Sequence, residues 1–125
     1  MGGKVITMKY NKLQDAYFGT GISNYKGILY TALDGLKYGD LNLVRLQLNN
    51  ISKKLNQFIS VTGIHHCLRT LPMVHREIDK YVRILSNTNI LSFNAKVSVE
   101  EFLYSLLSAF GTVQYFCDYM HYKGF

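Results

Sequence analysis

Acidic residues are scarce in this chain of 125 residues. Eight Asp and Glu stand against fourteen Lys and Arg, a formal net charge of +6. Their placement says more than their number. No acid occurs between Asp40 and Glu77, an interval that holds Arg45, Lys53, Lys54, Arg69 and Arg76 together with His65, His66 and His75. A positive field gathered on one part of a small domain argues against a cationic partner and suits a polyanion. The plainer alternative is a solvated face that keeps the protein soluble.

Other scarcities narrow the field. The two cysteines, Cys67 and Cys117, lie far apart with no CxxC spacing. They read as reduced thiols packed as small hydrophobes, not as a disulfide framework. The longest run without charge, Phe102 to Cys117, is shorter than the ~20 residues of a membrane span and carries Ser, Thr, Gln and Gly. The opening "MGGKVITMKYNK" lacks the apolar core of a signal peptide. The expectation is a soluble protein, cytoplasmic or within a virion, without a membrane partner. Few carboxylates also mean little catalytic equipment: no paired carboxylates and no Ser-His-Asp order stand out.

What is present is helical. The chain is 48% hydrophobic and 14% aromatic, which fits one globular domain with a core of its own. Residues 1–21 show no clear period and read as an extended or flexible arm. The glycine-rich "FGTGISNYKG" fits no phosphate-loop spacing. A bundle domain then spans 22–125. Ile28, Leu29, Ala32, Leu33 and Leu36 recur at helical spacing, and Gly39 stands where a left-handed cap belongs. This predicts a first helix near 24–38. Asp40 can cap a second over 41–61, where Leu41, Val44, Leu48, Ile51, Leu55 and Phe58 alternate steps of three and four. Pro72, the single proline, suits the first turn of a third helix over 72–86. Along it Arg76, Lys80 and Arg83 form a basic outer row. Ser98 and Glu101 form a capping box for a fourth helix over 99–121. That helix carries Phe102, Leu106, Phe110, Val113, Cys117 and Met120 on one side, and Tyr104, Ser108, Gly111, Tyr115, Tyr119 and Tyr122 roughly opposite. Either it runs through the centre or its tyrosine side docks on another molecule. The predicted fold class is all-α, a bundle of four to five helices with an N-terminal arm.

The stretch "IHHCLRTLPMVH", residues 64–75, concentrates the unusual chemistry. As a metal site it fails on spacing: His65 and His66 point about 100° apart on a helix, and no standard zinc pattern matches. No metal and no cofactor are expected. The spacing of Arg69 and His75 resembles the Arg-x(4–6)-His signature of the HEPN ribonucleases, a small all-helical family. That resemblance implies His75 as general acid/base on a ribose 2′-hydroxyl and Arg69 as stabiliser of the phosphorane charge. The chain departs from the pattern where Thr70 and Leu71 follow the arginine and where Pro72 interrupts the shared helix. The preferred reading is a basic connector that turns the chain into the third helix.

The expectation is thus a non-enzymatic subunit, with no catalytic residues. Arg45, Lys53, Lys54, Arg69, Arg76, Lys80 and Arg83 would contact a nucleic-acid backbone without regard to sequence. Tyr104, Tyr115, Tyr119 and Tyr122 would contact copies or partners. In general make-up this is similar to the small helical subunits of CRISPR effector complexes and to the coat proteins of filamentous DNA viruses, although no motif ties the chain to either. A protein–protein adaptor that never touches nucleic acid is the third reading.

Overall fold

The computed structural model describes residues 13–62 and 71–124. Among them are five α-helices and no strand. They are α1 (Leu13–Gly19), α2 (Tyr25–Lys37), α3 (Leu41–Thr62), α4 (Leu71–Ser86) and α5 (Phe93–Tyr122), with a 3-10 turn over Ile22–Asn24 between α1 and α2. The all-α bundle is the expected class.

The turn from α2 to α3 follows from three adjacent residues. Gly39 takes φ +76. The N–H of Asp40 reaches back to the carbonyl of Gly35 at 2.8 Å, and that of Gly39 to Leu36 at 3.3 Å. This pair of bonds satisfies the carbonyls at the end of α2. Asp40 then caps α3, its Oδ1 accepting from the N–H of Leu43 at 3.1 Å. The tight reversal makes α2 and α3 an antiparallel pair.

α3 is the centre of the bundle and packs on α1, α2 and α4. Its whole three-four stripe, Leu41 through Phe58, is buried, and Val61 extends it. α4 returns antiparallel along α3 and buries Leu71, Ile78 and Leu85, one residue every seven. α5 lies across α2 and α1 and buries Val99, Leu103, Leu106, Phe110, Val113 and Cys117. It is therefore not a central helix: its tyrosine side is left outside. Tyr25 joins α2 to α5, its ring stacked on Phe110 at 5.7 Å and its hydroxyl donating to Gln114 Oε1 at 2.9 Å. The contact between α4 and α5 rests on the stacked rings of Tyr81 and Phe102, 4.0 Å apart.

Two boundaries differ from the sequence reading. Residues 13–21 are not part of an extended arm. Leu13–Gly19 is helical, Ala16 and Tyr17 are buried, Tyr17 meets Phe58 edge to face, and Gln14 Nε2 donates to Asp118 Oδ1. The segment is too short to show a period, yet it covers the far end of α3. Residues 1–12 lie outside the described set. The longest helix also starts earlier than 99. Its cap is Ser92, whose Oγ accepts from the N–H of Ala95 at 3.2 Å. Ser98 and Glu101 stand roughly one and a half and two and a half turns inside it, where no cap is needed.

Candidate nucleic-acid interface and the polar clasp beneath it

Each predicted cation has a definite place, except Arg69, which lies outside the described residues along with His65, His66 and Cys67. Lys53 on α3 and Arg76, Lys80 and Arg83 on α4 are exposed. Ser52 touches both His75 and Asp79. Lys53, Arg76 and Lys80 each directly follow one of these three residues, so they sit at one level of the α3–α4 pair. At 100° per residue the α4 row points away from the core side marked by Leu71, Ile78 and Leu85. Lys53 lies on the flank of α3 that faces α4, as do Asn49 and Asn56. The outer surface of this helix pair therefore collects four cations and a set of amides.

Two other predicted contacts point elsewhere. Arg45 is spent within the chain: its guanidinium donates to the carbonyl of Leu85 and to Oδ1 of Asn42. It caps the C-terminal turn of α4, where unpaired carbonyls and the helix dipole favour a cation. Lys54 is half-buried on the opposite flank, against Gly21. The nearby acids are also accounted for. Glu77 turns toward an apolar groove of about 350 Å³ between α4 and α5, lined by Met73, Val74, Phe102, Leu106 and Ala109. Asp79 is held by Ser52 and His75.

These last contacts form a closed polar ring that the sequence reading missed. Ser52 Oγ donates to Asp79 Oδ1 at 3.1 Å. His75 Nε2 lies 3.1 Å from the same Oγ. His75 Nδ1 lies 3.5 Å from Asp79 Oδ2, one helical turn away. Ser52 has a single proton. Directed at Asp79, it leaves Oγ to accept from the Nε2–H of His75, and Nδ1 then donates to Asp79 only when the ring carries both protons. The composition is that of a hydrolase triad, but the setting differs. Ser52 is buried in the middle of α3, where its own N–H and those of its neighbours are committed to the helix. Among its neighbours on α3 no pair of unengaged backbone donors is left to stabilise an oxyanion. Both ring nitrogens of His75 face protein partners. The ring reads as a clasp between α3 and α4.

His75 is accordingly a residue of α4, one turn inside it, and not part of a connector. Pro72 falls in the first turn of that helix, as expected.

Among the described residues no three His, Cys, Asp or Glu side chains converge as a metal site would require. Cys117 is buried and unpaired, and burial pushes its thiol up to about 12, with Asp118 adding to the effect. It packs as a small hydrophobe. No helix of the described residues is long and apolar enough to cross a membrane. Tyr104, Tyr115, Tyr119 and Tyr122 are all exposed on α5. Tyr104 also lines a shallow groove with Tyr30, Lys37, Lys96 and Glu100. Neither a protein-family model nor any curated protein or solved structure matches the chain.

Proposed function

We propose that this chain is a basic helical subunit of a nucleoprotein assembly that packs with copies of itself or partners along a nucleic-acid backbone. The observation that carries the reading is the outer surface of α3 and α4. There Lys53, Arg76, Lys80 and Arg83 are exposed, while of the two carboxylates within the α4 row Asp79 is tied to Ser52 and His75 and Glu77 borders the apolar groove on the α5 side. Rigid helices hold cations at fixed spacing against a line of phosphates. The amides of Asn49 and Asn56 add hydrogen-bonding groups without charge. Binding through such a surface follows phosphate geometry and ignores base identity.

The test is a salt titration. Fluorescence anisotropy of labelled single-stranded DNA, single-stranded RNA and duplex DNA should give affinities that fall linearly on a log–log scale with salt. Each phosphate contact contributes a slope of roughly 0.7 to 0.9. Glu substitutions at Lys53, Arg76 or Arg83 should flatten that slope for unrelated sequences alike. Lys54→Glu, on the opposite flank, should not. A wild type that binds none of the three at low salt defeats the proposal and leaves the adaptor reading, which the exposed tyrosines of α5 favour. RNA cleavage by the wild type that His75→Ala abolishes would replace it with the ribonuclease reading.

A further inference from the structure

The exposed side of α5 has a pattern that specifies its occupant. At 100° per residue, Tyr104, Ser108, Thr112, Tyr115, Tyr119 and Tyr122 fall within one strip about 80° wide. All six side chains are exposed, and none is charged. The tyrosines stand at the two ends of the strip and small residues in its middle. Charges bound it: Glu101 stands at the same azimuth one turn before Tyr104, Glu100 lies beside it, and Lys123 follows Tyr122.

We propose that this strip is the interface of a symmetric dimer, in which α5 of one copy packs antiparallel on α5 of a second. The two-fold axis passes between Gly111 and Thr112. The proposal deepens the self-association half of the function proposed above and does not depend on nucleic acid. In this register Tyr119 of each copy faces Tyr104 of the other, and Tyr115 fits over Ser108. Around the axis Tyr115 meets Ser108 and Thr112 meets Gly111, so the helices can approach closely there, and toward the ends Tyr119 and Tyr104 pair ring with ring. The flanking charges complement each other as well. Lys123 of one copy comes within one residue of the level of Glu101 of the other and on the same flank, whereas a parallel pair would set Lys123 against Lys123 and the glutamates against their own copies. The same uncharged strip lets two chains of net charge +6 meet without setting their cations face to face.

The area is sufficient. Tyr104, Tyr115, Tyr119 and Tyr122 are 54%, 75%, 48% and 84% exposed. Aromatic side chains bury about 150–250 Å² each. The four tyrosines thus offer on the order of 500 Å² per copy, and a pair about 1,000 Å² before Ser108 and Thr112 are added. That is the size at which specific interfaces begin. Tyrosine enrichment with charge confined to the rim is the usual composition of an interface core. An interface related by a two-fold axis closes on itself, so it yields a dimer and not a filament.

The experiment uses the full chain without nucleic acid. Analytical ultracentrifugation from about 1 μM to about 1 mM, the range in which an interface of this size associates, should show conversion from one chain to two. A joint change of Tyr104, Tyr115 and Tyr119 to Ser should abolish the dimer and keep the helical circular dichroism. Orientation is read by a short bismaleimide in a Cys67→Ser background. Thr112→Cys, beside the two-fold axis, should cross-link to its own copy. Tyr122→Cys should not, because the antiparallel register holds the two positions roughly 30 Å apart. If the triple variant unfolds, the cross-linking pair decides. A single-chain mass at every concentration overturns the proposal. So does a Tyr122→Cys that links as readily as Thr112→Cys, or a monomer whose tyrosines bind lipid vesicles. A salt titration on the monomeric triple variant tests phosphate binding separately, so the two proposals fail independently.

Discussion

The Nε2 of His75 lies 3.1 Å from the Oγ of Ser52, across the seam between α4 and α3. Together with Asp79 the pair ties α4 to α3 beside the buried stripe of Leu71, Ile78 and Leu85 and the Arg45 contact to the Leu85 carbonyl. Removing either side chain should therefore destabilise the fold by about 1 kcal/mol, the usual net worth of a partly buried hydrogen bond. Urea unfolding of His75→Ala, Ser52→Ala and the double variant measures it. The double variant should lose less than the sum of the singles, with a coupling of at least roughly 0.5 kcal/mol. Strict additivity would show that the ring contributes no interaction.

Arg45 and Lys53 are both cations of α3, yet they should separate cleanly. Arg45→Met removes the cap on the carbonyl of Leu85 and should lower stability by about 1 kcal/mol with the salt slope for nucleic acid unchanged. Lys53→Glu should leave stability within about 0.5 kcal/mol of wild type and flatten the slope. Thermal melts paired with anisotropy titrations distinguish them. The reverse pattern would place the phosphate contacts on Arg45.

The start of α5 offers a comparison of two serines six residues apart. Ser92→Ala removes the cap on Ala95 and should cost about 1 kcal/mol. Ser98→Ala, inside the helix, should change stability by no more than about 0.5 kcal/mol. Equal losses at the two positions would put the helix start at 99.

Alkaline pH should unfold the protein through Cys117. Its thiol is pushed from 9.0 to about 12 by burial first and Asp118 second. The raised value means that the folded state keeps a proton that the unfolded state gives up. The contribution is complete below about pH 9 and is lost as pH rises toward about 12. Tyr17, raised mainly by burial, acts in the same direction above 10. Urea midpoints should be flat from pH 7 to 8.5 and fall beyond 9, less steeply in Cys117→Ala. In a Cys67→Ser background the native protein should resist a thiol reagent at pH 8 and react once unfolded. Rapid reaction of the folded chain would contradict the burial of Cys117.

Local pattern alone carried much of the architecture. The three-four alternation from Leu41 to Phe58 marks both a helix and its buried side, because periodicity is a property of neighbours along the chain. Gly39 and Asp40 mark the turn for the same reason: left-handed φ and a side-chain cap are decided within a few residues. The four exposed cations and the outward tyrosines could be named from the sequence because they are what the buried stripes leave over.

Tertiary structure decided what depends on distant partners. By its sequence, Ser98 with Glu101 is a better cap than Ser92. Which one serves is set by whether residues 93–97 join the helix, and Ala95, Lys96 and Val97 become half-buried when they do. The seven residues of α1 are too few to show a period; Phe58 and Asp118 give them something to pack on. Arg45 looks like any surface cation until α4 returns antiparallel and brings the carbonyl of Leu85 to it, forty residues along the chain. Ser52 lies 23 residues from His75 and 27 from Asp79. A sequence displays contacts one helical turn apart, but hydrogen bonds act over about 3 Å of space, and only folding sets which residues come that close.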